Sequence, residues 1–178
     1  MAIYHLSVKH VRRSAGQSVV AAAAYRAGAR LVEHSIEGPA RTHDYQRKGG
    51  VVETRLLLPQ GAPTWAQDRE TLWNRVTAAE TRKDSRLARE VELALPRELT
   101  QTERVDLAAC FAKALFVSQG YGVDMAVHDT GKGNPHAHLL VTPRPFLGAT
   151  FAAMKPTEPT GKAWLKTLRA HWAAHANR

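Results

Sequence analysis

Residues 122–142 read GVDMAVHDTGKGNPHAHLLVT, and two runs within this stretch alternate apolar residues with small or polar ones. Val123, Met125 and Val127 carry the alternation in the first run, and the second run, HAHLLV, repeats it. Between the two runs, DTGKGNP contains the Gly, Asn and Pro residues that are typical of a chain reversal. The stretch therefore predicts an antiparallel β-hairpin with one apolar face.

Three histidines fall on the other face of this predicted hairpin. Side chains i and i+2 of a strand point to the same face, so His136 and His138 lie side by side. If Met125 pairs with Leu139, then His128 lies opposite His136 in the neighbouring strand. The register therefore predicts that all three imidazoles share the polar face of the hairpin.

Two interpretations of the three histidines are open. Converging imidazoles make a good site for a divalent transition metal such as Mn, Fe, Co, Ni, Cu or Zn, with the remaining coordination positions open to water or substrate. The simpler alternative is a polar outer face that happens to carry histidines. The matching position of His128 favours the metal site, although spacing alone does not identify the chemistry.

The rest of the chain predicts strands and helices in alternation, followed by the hairpin and a last helix. Since the last two strands form a hairpin, the sheet is at least partly antiparallel. We therefore expect an α+β fold with a central antiparallel β-sheet, helices covering one face and the histidines on the other. Ser18, Thr64 and Thr100 are expected as helix caps. The predicted strands lie at 2–11, 51–59 and 89–96, the helices at 18–28, 64–84, 99–122 and 160–178, and a loop with a short ribbon at 33–50.

The charge of the chain favours an anionic partner. There are 25 Lys and Arg against 16 Asp and Glu, which gives a formal net charge of +9. Nucleic acid is the first candidate partner, although charge alone does not exclude a generic basic surface. Basic residues concentrate in the first fifty positions, where they could track a phosphate backbone: Arg12, Arg13, Arg26, Arg30, Arg41, Arg47 and Lys48.

Chain length and cysteine content limit the classes of protein to which this sequence can belong. The 178 residues suit one domain with its own core. No apolar run reaches the length of a transmembrane helix and the N-terminus lacks the apolar part of a signal peptide, so we expect a cytoplasmic protein. The single cysteine, Cys110, excludes a disulfide framework or a cysteine zinc site, and its apolar surroundings in sequence predict a core position.

Carboxylates and tyrosines supply further candidate site residues. In REVELALP, residues 89–96, Glu90 and Glu92 alternate with apolar residues and share one strand face. A carboxylate there could orient a metal-bound histidine or act as a base, whereas the simpler alternative is two solvated glutamates. Tyr25 follows four alanines, so a phosphate backbone could approach it closely. Of the other three tyrosines, one has the apolar parity of a strand and two fall in or near loops: Tyr4, Tyr45 and Tyr121.

Three motifs together resemble a known family. NPHAHLLVT matches the histidine–hydrophobe–histidine motif of the HUH endonucleases, and MAIYHLSVKHVRRSAGQSVVAAAAYRAG is similar to the N-terminus of conjugative relaxases of the MobA/MobL type, especially the TraA-like branch. REVELALP resembles the third motif of that family. The resemblance runs from Met1 to about Arg144, and three motifs in the same order make a chance match improbable.

The resemblance implies an enzyme that nicks one DNA strand at a plasmid origin of transfer, leaving a 5′-phosphotyrosine and a free 3′-hydroxyl. It implies a central antiparallel sheet with flanking helices, the HUH fold with its RRM-like palm. Tyr25 corresponds to the nucleophile, Glu90 is the best match to the acidic residue and Glu92 the second. The metal-binding histidines correspond to His128, His136 and His138.

The same resemblance implies a cofactor and partners. We expect a divalent metal ion, with Mn²⁺ or Mg²⁺ foremost and Zn²⁺, Ni²⁺ or Co²⁺ as alternatives. The expected partners are single-stranded DNA at the origin of transfer and accessory relaxosome and coupling proteins. Many TraA-like proteins continue into a helicase region, so we expect residues 1–178 to be one nuclease domain, truncated from a longer protein, with a basic helix at 160–178.

Two other functions are compatible with the residues alone. One is a metal-dependent phosphodiesterase that uses activated water, in which Tyr25 is merely structural. The other is a basic, non-catalytic module that binds single-stranded DNA and whose histidines are incidental. A covalent protein–DNA adduct would separate the relaxase from both.

Overall fold

The computed structural model describes residues 5–35 and 37–177. Its main feature is a five-stranded antiparallel sheet in the order β1-β5-β7-β6-β4, with helices against it, so the predicted α+β class is confirmed. Two short ribbons, β2-β3 and β8-β9, lie beside this sheet. The strands are β1 (Leu6–Arg12), β2 (Arg30–Glu33), β3 (Arg41–Asp44), β4 (Val51–Leu57), β5 (Arg86–Ala94), β6 (Val123–His128), β7 (His136–Val141), β8 (Phe146–Leu147) and β9 (Thr150–Phe151).

Four α-helices connect or flank these strands in the described part of the chain. They are α1 (Val19–Ala27), α2 (Arg69–Ala79), α3 (Gln101–Leu115) and α4 (Gly161–Ala176). As predicted, Ser18 caps α1 and Thr100 caps α3, where Thr100 and Glu103 form a capping box. No helix within the described ranges is both long enough and apolar enough to cross a membrane.

The central hairpin has the predicted register. Met125 pairs with Leu139, and His128 pairs with His136. Strand β5 pairs with the other side of β7, where Glu92 lies opposite His138. The histidines therefore occupy the middle of the sheet rather than an edge.

The apolar face of the hairpin packs against α3 and α4. Met125 and Leu139 are fully buried there together with Phe111 and Trp172. The rings of Phe111 and Trp172 meet nearly edge-on, with their centroids 5.2 Å apart. This face holds the larger of the two cores.

The expectation that helices cover only one face is wrong. Helices α1 and α2 pack on the face that also carries the histidines, and they bury Val20, Ala24 and Trp73 against Leu140. Leu140 follows the histidines along β7 and supplies an apolar patch on their face, which the apolar stripes of the two helices cover. The histidines are thus at the edge of a second core.

An ion pair between α2 and the sheet strengthens this second layer. Asp124 on β6 accepts two hydrogen bonds from the Arg69 guanidinium, at 2.8 and 2.9 Å, and a third from Trp73 Nε1 at 2.9 Å. The carboxylate is almost completely buried, so these donors compensate for its loss of water.

Several boundaries differ from the predicted ones. Helix α2 begins at Arg69 and is capped by Asp68, whose Oδ2 accepts from Thr71 N at 2.8 Å, whereas Thr64 begins a short 3₁₀ turn. Strand β5 begins at Arg86, earlier than expected, because it pairs along the whole of β1. The expectation for Tyr4 lies outside the described residues.

Cys110 is exposed, so its predicted core position is wrong. Helix α3 buries a stripe that includes Ala108, Phe111 and Ala112, and Cys110 lies outside this stripe. A run as rich in alanine as LAACFAKAL does not show which side of the helix faces the sheet. Helix α4, by contrast, lies within the predicted range 160–178.

Candidate metal centre

The three histidines of the hairpin form a compact cluster. The ring centroids of His128 and His138 are 4.8 Å apart, those of His136 and His138 are 4.9 Å apart, and those of His128 and His136 are 5.3 Å apart. One nitrogen from each ring lies within 4.8 Å of the other two. His128 and His138 are buried, while His136 is half-buried, so the cluster opens to one side. A single metal ion could be reached by all three rings.

One nitrogen of each ring is already engaged by a hydrogen-bond acceptor. His138 Nδ1 lies 2.8 Å from Glu90 Oε1, and His128 Nε2 lies 2.6 Å from the carbonyl oxygen of Arg26. His136 Nδ1 lies 2.9 Å from the carbonyl oxygen of Asn134. Since carboxylates and carbonyls only accept, these ring nitrogens carry the proton.

In the neutral form of each ring, the other nitrogen is then a lone-pair donor. These nitrogens are Nδ1 of His128 and Nε2 of His136 and His138. Metal-binding histidines typically donate their second N–H to a carboxylate or a backbone carbonyl, which fixes both the tautomer and the ring orientation. The residues around the cluster thus fit a divalent metal ion.

The pKa values of two site residues suit the binding of a metal ion. Burial is the main cause that lowers the pKa of His128 to about 4. The hydrogen bond to the Arg26 carbonyl raises this pKa, whereas the nearby imidazoles and Lys48 lower it further. Burial would raise the pKa of Glu90, but hydrogen bonds from His138 and Arg26 outweigh it and lower the pKa to about 2. At neutral pH, His128 is therefore a neutral ligand and Glu90 a carboxylate.

Arg26 connects the end of α1 to the cluster in two ways. Its Nε donates to Glu90 Oε1 at 2.7 Å and its second terminal nitrogen donates to Glu90 Oε2 at 3.1 Å. Its carbonyl accepts from His128. We expected Arg26 only as a residue that contacts DNA, but its guanidinium is bound to Glu90.

The two glutamates differ in their contact with the cluster. Glu90 is buried and bonded to both His138 and Arg26. Glu92 is more exposed, and its nearest carboxylate oxygen is 3.8 Å from His138 Nδ1. Of the two glutamates, Glu90 is thus the one whose carboxylate is hydrogen-bonded to a histidine of the cluster.

Tyr25 lies in the last turn of α1, immediately before Arg26, and is 43% exposed. Its ring meets the ring of Tyr45 edge-on, with centroids 5.2 Å apart. Lys48 Nζ lies 3.7 Å from the centroid of the Tyr25 ring. The backbone next to Tyr25 is therefore fastened to the histidine cluster, while its side chain remains open to solvent.

The other basic residues expected at a DNA surface do not form one group. Arg13 donates to backbone carbonyls near the end of α2, including that of Thr77, so its guanidinium is used within the protein. Arg30 is exposed and its Nε lies 4.0 Å from a carboxylate oxygen of Asp44 in β3. Three others are exposed as well: Arg12, Arg41 and Arg47.

Sequence reasoning missed two backbone groups of the site and one basic residue on the same face of the sheet. The carbonyls of Arg26 and Asn134 orient two histidines, and a backbone acceptor leaves no signature in side-chain types. Lys9 lies opposite Glu90 on the same face of the sheet and is exposed at its edge. The alternation in β1 could have identified its face, but the pairing of β1 with β5 is not visible in the sequence.

The fold and the cluster define an α+β domain whose antiparallel sheet carries a three-histidine candidate metal centre beside a tyrosine-bearing helix. The chain belongs to the MobA/MobL family, whose model matches residues 17–178.

The chain is also similar to named relatives and to a solved structure. The chain is 41% identical over 165 residues to the "Conjugal transfer protein TraA" of Agrobacterium fabrum and 42% identical over 167 residues to the "Mobilization protein MobL" of Acidithiobacillus ferridurans, with 87% and 80% of the chain covered. A structure described as "Molecular Basis of Vancomycin Resistance Transfer in Staphylococcus aureus" is 32% identical, with a TM-score of 0.86 over 99% of this chain and 91% of that one.

The chain is shorter than these curated relatives. The match spans 15% of the Agrobacterium protein and 43% of the Acidithiobacillus protein.

Proposed function

We propose that the chain is a relaxase domain, which nicks one strand of DNA at a plasmid origin of transfer by transesterification. The observation that carries the proposal is the double contact of Arg26, with His128 through its carbonyl and with Glu90 through its guanidinium. This contact holds the tyrosine-bearing turn of α1 beside three histidines with available lone pairs. A nucleophile next to a metal centre is the combination that phosphodiester transesterification requires.

The residues that would hold the metal ion are His128, His136 and His138. Imidazole nitrogens suit Mn²⁺, Co²⁺, Ni²⁺ and Zn²⁺, whereas Mg²⁺ prefers oxygen ligands, so the ligand set favours Mn²⁺ over Mg²⁺. A bound divalent ion would polarise the scissile phosphate and offset the charge that develops in the transition state.

Tyr25 would be the nucleophile. Its Oη forms a bond to phosphorus, the P–O3′ bond breaks, and the phenolic proton passes to solvent, which reaches the exposed side chain. The 3′ oxygen takes up a proton, and the products are a 5′-phosphotyrosine and a free 3′-hydroxyl. Because the phosphotyrosine retains the energy of the phosphodiester, the 3′-hydroxyl can reseal the strand.

Glu90 would position His138 rather than act as a base. Its pKa of about 2 makes it a weak proton acceptor, and both of its oxygens are engaged. Glu92 is the weaker second candidate because it is farther from the histidine.

The substrate would be single-stranded DNA at the origin of transfer, which the net charge of +9 favours. Exposed basic residues such as Lys9 and Arg47 are available to contact its backbone. We also propose that the protein acts in the cytoplasm with accessory relaxosome and coupling proteins, in a process of the kind that the names of its relatives give for those proteins, conjugal transfer and mobilization.

The test is incubation with a 3′-labelled single-stranded oligonucleotide that spans a plasmid origin of transfer, with Mn²⁺ or with a chelator, followed by denaturing electrophoresis. The proposal predicts a labelled species that migrates with the protein, forms only with the metal and disappears after protease treatment. The unlabelled 5′ fragment should end in a 3′-hydroxyl that a polymerase can extend.

Two other results would replace the proposal. Metal-dependent cleavage without a protein-linked fragment would indicate a phosphodiesterase that uses water. Binding of the oligonucleotide without cleavage would indicate a non-catalytic module.

A further inference from the structure

The segment that follows β3 contacts the side chain of Tyr25 directly. We propose that Lys48, together with Tyr45, is a positioning residue that holds the Tyr25 ring in the orientation needed for attack; the inference rests on the proposed function of Tyr25. Lys48 was expected only as one of several basic residues near DNA. Its contacts point to a more specific role.

Lys48 is bound to Tyr25 at two points. Its Nζ donates a hydrogen bond to the backbone carbonyl of Tyr25 at 2.9 Å. The same Nζ lies 3.7 Å from the centroid of the Tyr25 ring, within cation–π distance. One ammonium group therefore fixes both the backbone and the ring of the same residue.

Tyr45 makes a second contact with the Tyr25 ring. Its ring stands at 90° to that of Tyr25, with centroids 5.2 Å apart, which is a favoured geometry for aromatic pairs. A turn connects the two contacts, since Lys48 N donates to the carbonyl of Tyr45 at 2.9 Å. Tyr45 N in turn donates to the carbonyl of Ala29 at 3.0 Å, which fastens the turn to the end of α1.

Gly28 allows this turn to come close to α1. It ends the helix with a φ of +60°, a conformation that glycine adopts without strain. A Cβ at this position would lie 3.1 Å from Val51 Cγ2 and 3.8 Å from the carbonyl oxygen of Tyr45. Tyr45 and Val51, which lie on either side of Lys48 in the sequence, thus pack against Gly28 where a side chain would otherwise be.

Two charged residues of the site, Arg26 and Glu90, influence the Lys48 ammonium group. Burial lowers the pKa of Lys48, the Arg26 guanidinium lowers it further, and Glu90 opposes both effects. The ammonium group, whose position is given by its contacts with Tyr25, is therefore also within the electrostatic influence of both site residues.

Lys48 and Tyr45 together form a clamp on the Tyr25 ring, and an exposed nucleophile benefits from being held in this way. Tyr25 is 43% exposed, so without its neighbours the side chain would sample several rotamers. Misplacement of a reacting group by 1 Å can lower a rate by about 100-fold. Loss of the clamp should therefore reduce the rate of attack more than the affinity for DNA.

The test compares Lys48→Met with Arg47→Met in single-turnover nicking at saturating oligonucleotide. Both variants lose one positive charge, but Arg47 is exposed and adjacent to the clamp rather than part of it. We expect Lys48→Met to slow adduct formation by about 10- to 100-fold with little change in Kd, and Arg47→Met to change only Kd. Equal changes in rate and Kd for the two variants would mean that Lys48 only attracts DNA, and would overturn the inference.

A second comparison uses the conservative variant and a readout that does not depend on nicking. Lys48→Arg keeps a cation that can stack on the ring and donate to the carbonyl, so it should recover most of the rate. In protein labelled with 3-fluorotyrosine, the ¹⁹F resonance of Tyr25, assigned by its loss in Tyr25→Phe, should shift in Lys48→Met and not in Arg47→Met. An unchanged resonance contradicts the clamp even if the protein nicks DNA, and a shifted resonance supports it even if the proposed nicking fails.

Discussion

At the scale of single residues, the acceptors of the ring N–H groups decide which histidine nitrogens can bind a metal. Glu90 is the one acceptor of this kind that is a side chain, so it can be changed without altering the backbone. Glu90→Gln removes the charge that fixes His138 and binds Arg26. Residues that orient a metal ligand typically contribute 10- to 100-fold in affinity, and we expect a loss of about that size for Mn²⁺, measured by calorimetry.

Glu92→Gln is the matched control for this change. It is the same substitution on the same strand, with its carboxylate 3.8 Å from the same histidine nitrogen. We expect a loss of metal affinity several-fold smaller than that of Glu90→Gln, with both variants folded at the temperature of the measurement. If the two glutamines weaken Mn²⁺ binding equally, Glu90 has no special role in orienting His138.

The lowered pKa of His128 predicts how stability depends on pH in the metal-free protein. The pKa falls from its usual 6.5 to about 4 on folding, so between these values the unfolded chain binds a proton that the folded protein does not. The free energy of unfolding is therefore fully retained above pH 6.5 and decreases as the pH falls toward 4, by at most about 3 kcal/mol. Glu90 adds a further loss of stability as the pH falls from its usual pKa of 4.5 to its pKa of about 2 in the folded protein.

Urea unfolding of the metal-free protein at a series of pH values measures this decrease. In His128→Gln the slope between pH 6.5 and 4 should become shallower, because the titrating group is gone. A wild-type stability that does not change across this interval would show that His128 titrates normally in the folded protein.

At the scale of elements, the hairpin could be predicted because its signal is local. Alternation fixes which residues share a face, and the short loop fixes which residues pair, so the pairing of His128 with His136 followed from the sequence. The end of α1 at Gly28 was likewise predicted from residue type.

The contact of α1 with the sheet could not be predicted in the same way. Arg26 and Glu90 are 64 positions apart, and each reads as an exposed polar residue on its own element. The bond from His128 to the Arg26 carbonyl spans 102 positions and involves no recognisable side-chain pair. Nothing in the order of elements says that two helices cover the face of the sheet that carries the histidines. Tertiary packing therefore supplied the part of the site that joins Tyr25 to the histidines.

The junction between α1 and β4 gives a prediction at this scale. In Gly28→Ala, a positive φ is imposed on alanine and the new Cβ lies 3.1 Å from Val51 Cγ2. Gly16→Ala imposes a similar φ of +69° with nothing within 4 Å, so it measures the backbone cost alone. We expect about 1 kcal/mol of destabilisation for Gly16→Ala and about 1 kcal/mol more for Gly28→Ala, from urea unfolding.

Equal destabilisation by the two alanine substitutions would mean that Val51 moves aside at no cost. The close packing of β4 on the end of α1 would then not be needed to hold the segment that contacts Tyr25.

At the scale of the whole molecule, the net charge of +9 predicts how DNA binding responds to salt. Each phosphate contacted on a single strand contributes a slope of roughly −0.7 to a plot of log K against log salt. We expect a linear plot with a negative slope of several units, measured by fluorescence anisotropy. We also expect tighter binding to single-stranded DNA than to a blunt duplex of the same sequence. Equal affinity for the two forms would contradict the proposed substrate.

The most direct test of the central claim compares the wild type with Tyr25→Phe for formation of the covalent protein–DNA adduct. The substitution removes one hydroxyl and leaves the ring contacts with Tyr45 and Lys48 possible, so folding, Mn²⁺ binding and DNA binding should be unchanged. On a denaturing gel with Mn²⁺ and a 3′-labelled origin oligonucleotide, we predict that the wild type forms a protein-linked fragment and that Tyr25→Phe forms neither the adduct nor the nick. A Phe variant that cuts the strand at the wild-type rate would show that water or another tyrosine is the nucleophile.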